Sequence, residues 1–180
     1  MQGAKRILGV AALLAALTAA GAANAQGRSA TVNLITADGV GAAIGTISFR
    51  DTKQGLYIEP KLTGLPPGPH GFHIHQNPNC GPGPGANNAP APGMAAGGHY
   101  DPKGANKHRG PHTDDSHLGD LPILVVDANG AASLPGIAKR LKASDLAGRS
   151  VMIHAGSDNF DDAPAPLGGG GGRIACGVIK

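Results

Sequence analysis

The chain has 180 residues, of which 30 are glycine and 15 proline, a share that borders on low-complexity sequence. A hydrophobic fraction of 41%, with 15% charged residues and a formal net charge of +3, excludes a highly charged disordered tail and allows a packed core. Trp is absent and Glu59 is the single glutamate. The core therefore has to be built from Val, Ile, Leu and Ala, and long Glu-rich helices are excluded.

At the N-terminus, Lys5 and Arg6 precede an uncharged stretch over 7–23, and Ala23-Asn24-Ala25 has the small-x-small pattern of a cleavage site. This predicts a secretory signal peptide over 1–25 and one domain over 26–180, in a periplasmic or secreted protein. The apolar stretch falls short of the ~18 residues that a membrane span needs, so no membrane association is expected once the leader is gone. No cysteine precedes Cys80, which excludes a lipid-modified N-terminal cysteine. Without Lys5 and Arg6 the charges nearly balance, so nucleic acid is not an expected partner. Cys80 and Cys176 are the only cysteines, and in an oxidising compartment they favour one intramolecular disulfide.

Eight β-type runs follow in chain order, at 30–36, 43–50, 55–62, 70–76, 121–127, 131–134, 149–155 and 173–179. Asp38-Gly39 and Asn129-Gly130 sit between paired runs as hairpin signals, and only 141–146 has weak helical periodicity. The class is all-β, a sandwich or barrel. Two long segments rich in Gly, Pro and Asp interrupt the strands, 77–120 and 156–172. Loops of this length in a compact domain are functional or disordered.

The histidines favour a functional loop. All eight lie at or beyond position 70, and His99, His108, His112 and His117 fall within the first long segment. Metal cross-linking would order a loop whose own apolar content cannot. In the run 70–76, alternation points His73 and His75 to one face and Phe72 and Ile74 to the other. His154 ends another strand-like run. A nitrogen-rich ligand set suits copper or zinc, and Asp120, three residues after His117, fits as the carboxylate of a closed zinc site.

Four motifs, Gly71-Phe72-His73-Ile74-His75-Gln76, Gly97-Gly98-His99-Tyr100-Asp101-Pro102, His117-Leu118-Gly119-Asp120-Leu121-Pro122 and Arg173-Ile174-Ala175-Cys176-Gly177-Val178-Ile179, occur in order. Together they resemble copper/zinc superoxide dismutase in its exported bacterial form, from about residue 31 to the end of the chain. The resemblance implies an eight-stranded Greek-key β-barrel or sandwich with two long functional loops. It implies one copper and one zinc per subunit, with His73, His75, His99 and His154 on copper and His99, His108, His117 and Asp120 on zinc. Asp158 takes the position of the carboxylate joining a copper-ligand His to a zinc-ligand His, and His70 that of a structural histidine. Cys80 and Cys176 match the family's disulfide. The implied activity is dismutation of superoxide by copper redox cycling, with zinc structural, His99 moving a proton and Arg173 guiding the anion. A homodimer is one expected assembly, since family members vary.

Some features depart from the family or are silent in it. Segment 156–172 has Asp161 and Asp162 but no Lys or Glu, so the steering charges of some members are not evident. His112 matches no ligand position and reads as a solvated loop residue, as does Lys107. The rival from outside enzymes is a periplasmic copper/zinc carrier without turnover, which has no need of Arg173 beside copper. A two-metal hydrolase fares worse, because Asn77 stands where its carboxylate would be required.

Overall fold

The computed structural model describes residues 27–180, so the leader expected over 1–25 lies outside the described residues. The strands are β1 (Arg28–Thr36), β2 (Gly39–Thr52), β3 (Gly55–Leu62), β4 (Gly68–His70), β5 (Phe72–His75), β6 (Gly83–Pro84), β7 (Pro90–Ala91), β8 (Leu124–Val126), β9 (Gly136–Ala138), β10 (Ser150–His154) and β11 (Arg173–Val178). If β4 and β5 count as one run broken at Gly71, seven of the eight expected runs contain strands, β9 takes the place of the run expected at 131–134, and the small hairpin β6–β7 is added. The main sheet is antiparallel, in the order β5-β10-β11-β1-β2-β3-β9, and curls into a barrel wall. A second, two-stranded sheet pairs β4 with β8. The non-sequential neighbours are the crossovers of a Greek key.

Period-two patterning builds the core. Leu56, Ile58 and Leu62 of β3 are buried on one face and meet Ile47 and Phe49 of β2, Phe72 and Ile74 of β5, and Val151 and Ile153 of β10. Each fully buried aliphatic or Phe side chain contributes about 1.5–3 kcal/mol. On the outer side of β10 and β11, a smaller cluster of Ile35, Cys80, Ala96, Met152 and Cys176 holds the loop that follows β5.

Two of the expected runs differ from the sequence expectation in partner or in place. The run 70–76 changes partners at Gly71: His70 pairs with Leu124 of β8, whereas Phe72 to His75 pair with β10. The strand expected at 131–134 forms instead at Gly136–Ala138, beside β3. The Asn129-Gly130 turn does close, with Asp127 Oδ1 accepting from the N–H groups of Asn129 and Ala131. Past it, however, the chain crosses to β3 through a single bridge, Ala132 to Leu62, and leaves Leu134 66% exposed. The weak helical signal at 141–146 resolves to a 3-10 turn, Ala143–Leu146, with Ala143 and Leu146 buried. No helix among the described residues is long and apolar enough to cross a membrane.

Cys80 and Cys176 form the disulfide, with Cα atoms 5.6 Å apart across a sequence separation of 96. It joins the loop after β5 to the last strand. In the chain-entropy account a closed loop of this size contributes up to about 4–5 kcal/mol. The Cys80→Ser/Cys176→Ser protein is expected to melt well below the parent, and thermal denaturation monitored by circular dichroism under non-reducing conditions checks this.

Candidate metal centre

β5 forms the floor of the centre. Phe72 and Ile74 pair with Ile153 and Val151 and enter the core, which sends His73 and His75 to the opposite face, where they stack on the loops. Those loops run alongside as backbone bridges, His73 to Asp120 and His75 to His99. Ile74 N–H donates to Gly119 O at 2.8 Å, and Ile74 O accepts from Tyr100 N–H at 2.8 Å. The strand thus delivers residues from four distant segments to one place.

Each of the converging imidazoles has one nitrogen committed. His73 Nε2–H donates to Asp158 Oδ2 at 2.7 Å, His75 Nδ1–H to Gly97 O at 2.9 Å, and His154 Nδ1–H to Gly171 O at 3.1 Å. Such partners fix tautomer and ring orientation. The remaining nitrogens, His73 Nδ1, His75 Nε2 and His154 Nε2, are buried without a hydrogen-bond partner, as is His99 Nε2. These four residues form a close group whose candidate ligand atoms all lie within 4.8 Å of one another. Buried lone pairs left without partners cost free energy unless something accepts them, so this donor set fits a metal ion of the imidazole-binding kind.

A second group adjoins it through the same ring. His99 Nδ1, His108 Nδ1 and His117 Nδ1 stand 3.1, 3.0 and 3.5 Å from Asp120 Oδ1. His99 lies between the groups, stacked on His73 with centroids 3.9 Å apart and edge-on to His108 and His117. Asp120 Oδ2 accepts from Ser116 Oγ–H at 2.6 Å. By interatomic distance the second close group is His73, His99, His108 and Asp120, with His117 at its margin. His73 is nevertheless oriented toward the first group, because its Nε2 is taken by Asp158. Asp158 Oδ1 also accepts from His108 Nε2–H at 2.8 Å, so one carboxylate links the two groups.

Protonation follows from these surroundings. Burial first, then the field of His99, holds His73 and His75 well below the ordinary value of 6.5. Burial likewise lowers His154 to about 4, against the hydrogen bond to Gly171 and helped by His99 and Arg173. His108 goes the other way: burial opposes its charge, but Asp120 and Asp158 raise it to about 9. Burial would favour the neutral acids of Asp120 and Asp158. The histidine hydrogen bonds override this and hold both below the usual carboxylate range.

Arg173 reaches the first group through a β-bulge. Ile153 pairs with Ala175 but His154 pairs with Arg173, so Ile174 is the extra residue and Arg173 turns to the His154 side instead of the core. Its Nη1–H donates to Gly93 O at 2.6 Å and its Nη2–H to Gly97 O at 2.8 Å. The Gly97 carbonyl therefore positions both Arg173 and His75. His70 lies beneath, its ring nitrogens facing His154 O at 2.7 Å and Pro66 O at 2.8 Å. His112 is exposed, and Lys107 is paired with Asp115 at the surface.

The fold and these paired clusters define a β-barrel metalloprotein with two adjoining nitrogen-rich sites that share an imidazole. A family profile described as copper/zinc superoxide dismutase matches residues 43–179. A superoxide dismutase [Cu-Zn] 2 of Salmonella typhimurium is 52% identical over 170 residues, covering 93% of this chain and 97% of that protein. The solved Cu/Zn superoxide dismutase from Brucella abortus superposes with a TM-score of 0.83 at 42% identity, covering 86% of this chain and all of the other. The monomeric copper, zinc superoxide dismutase from Salmonella enterica gives 0.75 at 49% identity, again covering 86% of this chain and all of that one. The chain belongs to the copper/zinc superoxide dismutase family.

Several participants escape sequence reasoning. Ser116 braces Asp120. Asp162, expected only as a loop charge, accepts from His108 N–H at 2.9 Å. Arg140 binds loop carbonyls. None lies in a recognisable motif, and only their three-dimensional partners reveal them.

These shifts set the pH dependence of the metal-free protein. His73, His75 and His154 bind protons less readily folded than unfolded, so stability falls as pH drops from about 6.5 through about 4. His108 is raised, so its contribution is complete below 6.5 and lost as pH rises through about 9. Melting temperature is therefore expected to peak near neutrality and decline on both sides. Melting curves of the metal-free protein across the pH range check this.

Proposed function

We propose that His73, His75, His99 and His154 hold copper and that His99, His108, His117 and Asp120 hold zinc, in an enzyme that converts superoxide to dioxygen and hydrogen peroxide. The observation that carries the reading is the set of buried, partnerless ring nitrogens arranged around His99. His117 rather than His73 completes the zinc set, because His117 Nδ1 is also without a hydrogen bond and faces Asp120. Copper bound there supplies a one-electron couple that takes an electron from one superoxide and returns it to a second, while zinc supplies charge and fixed geometry alone.

The chain's own residues do the rest. Reduction of superoxide to hydrogen peroxide consumes protons. The committed nitrogens of His73, His75 and His154 already donate to Asp158, Gly97 O and Gly171 O. His99 differs, since its second nitrogen faces the zinc group. It is the ring that can take a proton at Nε2 while Nδ1 holds it in place, and Nε2 is where that proton is delivered. Arg173 provides the attraction for the anion. Its half-buried guanidinium is held by two carbonyls, and burial lowers its pKa somewhat, though an arginine stays charged at neutral pH. No charged side chain occurs between His75 and His99. Asp161 and Asp162 have carboxylate oxygens engaged by loop N–H groups. Residues 76–98 and 156–172 contain no Lys or Arg, so attraction from these stretches rests on the neighbouring Arg173.

The same reading places the mature domain, residues 26–180, outside the cytoplasm after removal of 1–25. The leader pattern and the Cys80–Cys176 disulfide support this. All residues of both sites come from one chain, so the chemistry requires no second copy.

Two substitutions separate the metals. His154→Ala is expected to lower activity about a hundredfold or more with zinc retained, and Asp120→Ala to lose zinc before copper; metal analysis alongside the superoxide assay checks both. If His154→Ala kept full activity, the copper assignment would be wrong. For Arg173, unit charges several ångströms apart at an effective dielectric near 20 attract by roughly 3 kcal/mol, and solvent screening leaves about half. Arg173→Ala is therefore expected to cost on the order of tenfold in kcat/KM with both metals kept. Added salt should slow the parent more than the variant, and stopped-flow rates over an ionic-strength series measure the difference.

A further inference from the structure

Arg140 follows β9 by two residues and touches no metal-ligating atom, yet its guanidinium grips the lobe that carries part of the zinc group. Nε–H donates to Pro111 O at 3.2 Å, Nη1–H to Ser116 O at 3.2 Å, and Nη2–H to Gly110 O at 3.2 Å and to His117 O at 2.7 Å. A guanidinium has five N–H donors in a rigid fork, and four carbonyls take up most of that capacity. The carbonyls come from both ends of the lobe, Gly110 and Pro111 on one side and Ser116 and His117 on the other. Arg140 therefore closes the lobe as well as tying it to the barrel.

The held residues lead directly to the zinc group. Ser116, gripped through its carbonyl, donates its hydroxyl to Asp120 Oδ2 at 2.6 Å and accepts from Arg109 N–H at 2.7 Å. His117, also gripped through its carbonyl, presents Nδ1 to Asp120 Oδ1. Between residues 101 and 118 the only large apolar side chain is Leu118, so hydrophobic packing gives the lobe little shape of its own. Its other internal supports are short-range, such as His117 N–H to Lys107 O at 2.9 Å.

We propose that Arg140 is a positioning residue for the zinc site, holding His117 and the Ser116–Asp120 pair in their binding arrangement. Zinc then binds a formed lobe and does not have to order it, which lowers the entropy lost on binding. This inference rests on the zinc assignment made above. A lysine at this position keeps the charge but lacks the planar fork, so it can grip only part of the carbonyl set.

The test uses mature, metal-loaded protein and the variants Arg140→Lys and Arg140→Gln. Zinc release to a chromogenic chelator is followed while copper is measured in the same samples. Partners that orient metal ligands typically change affinity by about 10–100-fold. Zinc release is expected to quicken by that order in Arg140→Gln and by less in Arg140→Lys, with copper retained. Cobalt(II) placed in the zinc site should show altered visible absorption bands, and the copper spectrum should not change. The lysine variant, which preserves charge and bulk, keeps the test open if the glutamine variant fails to fold. Zinc release at the parental rate in Arg140→Lys and Arg140→Gln overturns the proposal, as does release of copper and zinc accelerated by the same factor. A parent that takes up no zinc overturns the ligand assignment itself, which distinguishes that failure from this one.

Discussion

Asp158 accepts a hydrogen bond from His73 Nε2 with one carboxylate oxygen and from His108 Nε2 with the other, and the rest of the centre follows from the nitrogens this leaves free. Both rings turn Nδ1 away from Asp158, that of His73 toward the first residue group and that of His108 toward the second. Because His73 is on β5 and His108 is on a long loop, the carboxylate sets the distance between barrel and loop as well as two tautomers. Its own loop must approach closely to do this. Gly168, with φ of +77°, lies where a Cβ would overlap Asp158 Oδ1 and crowd His108 Nε2. No side chain could occupy that position without displacing the link.

The two long loops are ordered by polar cross-links where apolar packing is scarce. Gly110 has its α-carbon against the Phe160 ring, which brings the second loop onto the first. Asp162 reaches back to His108 N–H, and Arg140 and the disulfide anchor the first loop at separate points on the barrel. Glycine and proline richness, which at the level of composition suggested disorder, here reflects backbone passing close to rings and carboxylates. The barrel core has the opposite character, with aliphatic side chains alternating along β3, β5 and β10.

That contrast explains what was legible in the sequence. Strand alternation identified the β class and sent His73 and His75 to one face, because side-chain period in a strand is a local property. The His-rich loop marked His99, His108 and His117, a strand-like run marked His154, and Asp120 stood out as a candidate carboxylate ligand; the resemblance added Asp158 and gave each a role, and the structure gathers all of them in two adjoining groups. The strand expected at 131–134 was misplaced because the Asn129-Gly130 turn fixes only the local reversal, whereas pairing with β3 is a long-range choice. Ser116, Arg140 and Asp162 were unreadable for a related reason: each acts through a backbone group or carboxylate brought near only by the fold.

The extra residue in β11 has a consequence beyond local geometry. A strand can address only two sides, and its residues alternate between them like odd and even numbers. Ile174 shifts that count by one, so Arg173 belongs to the metal face although the spacing from Ala175 would assign it to the interior. Regular pairing through this stretch, with Ile174 seated opposite His154, would exchange the two faces for everything before Ala175 and turn a guanidinium toward an aliphatic core. The bulge is thus as much a part of the site's specification as the identity of the arginine.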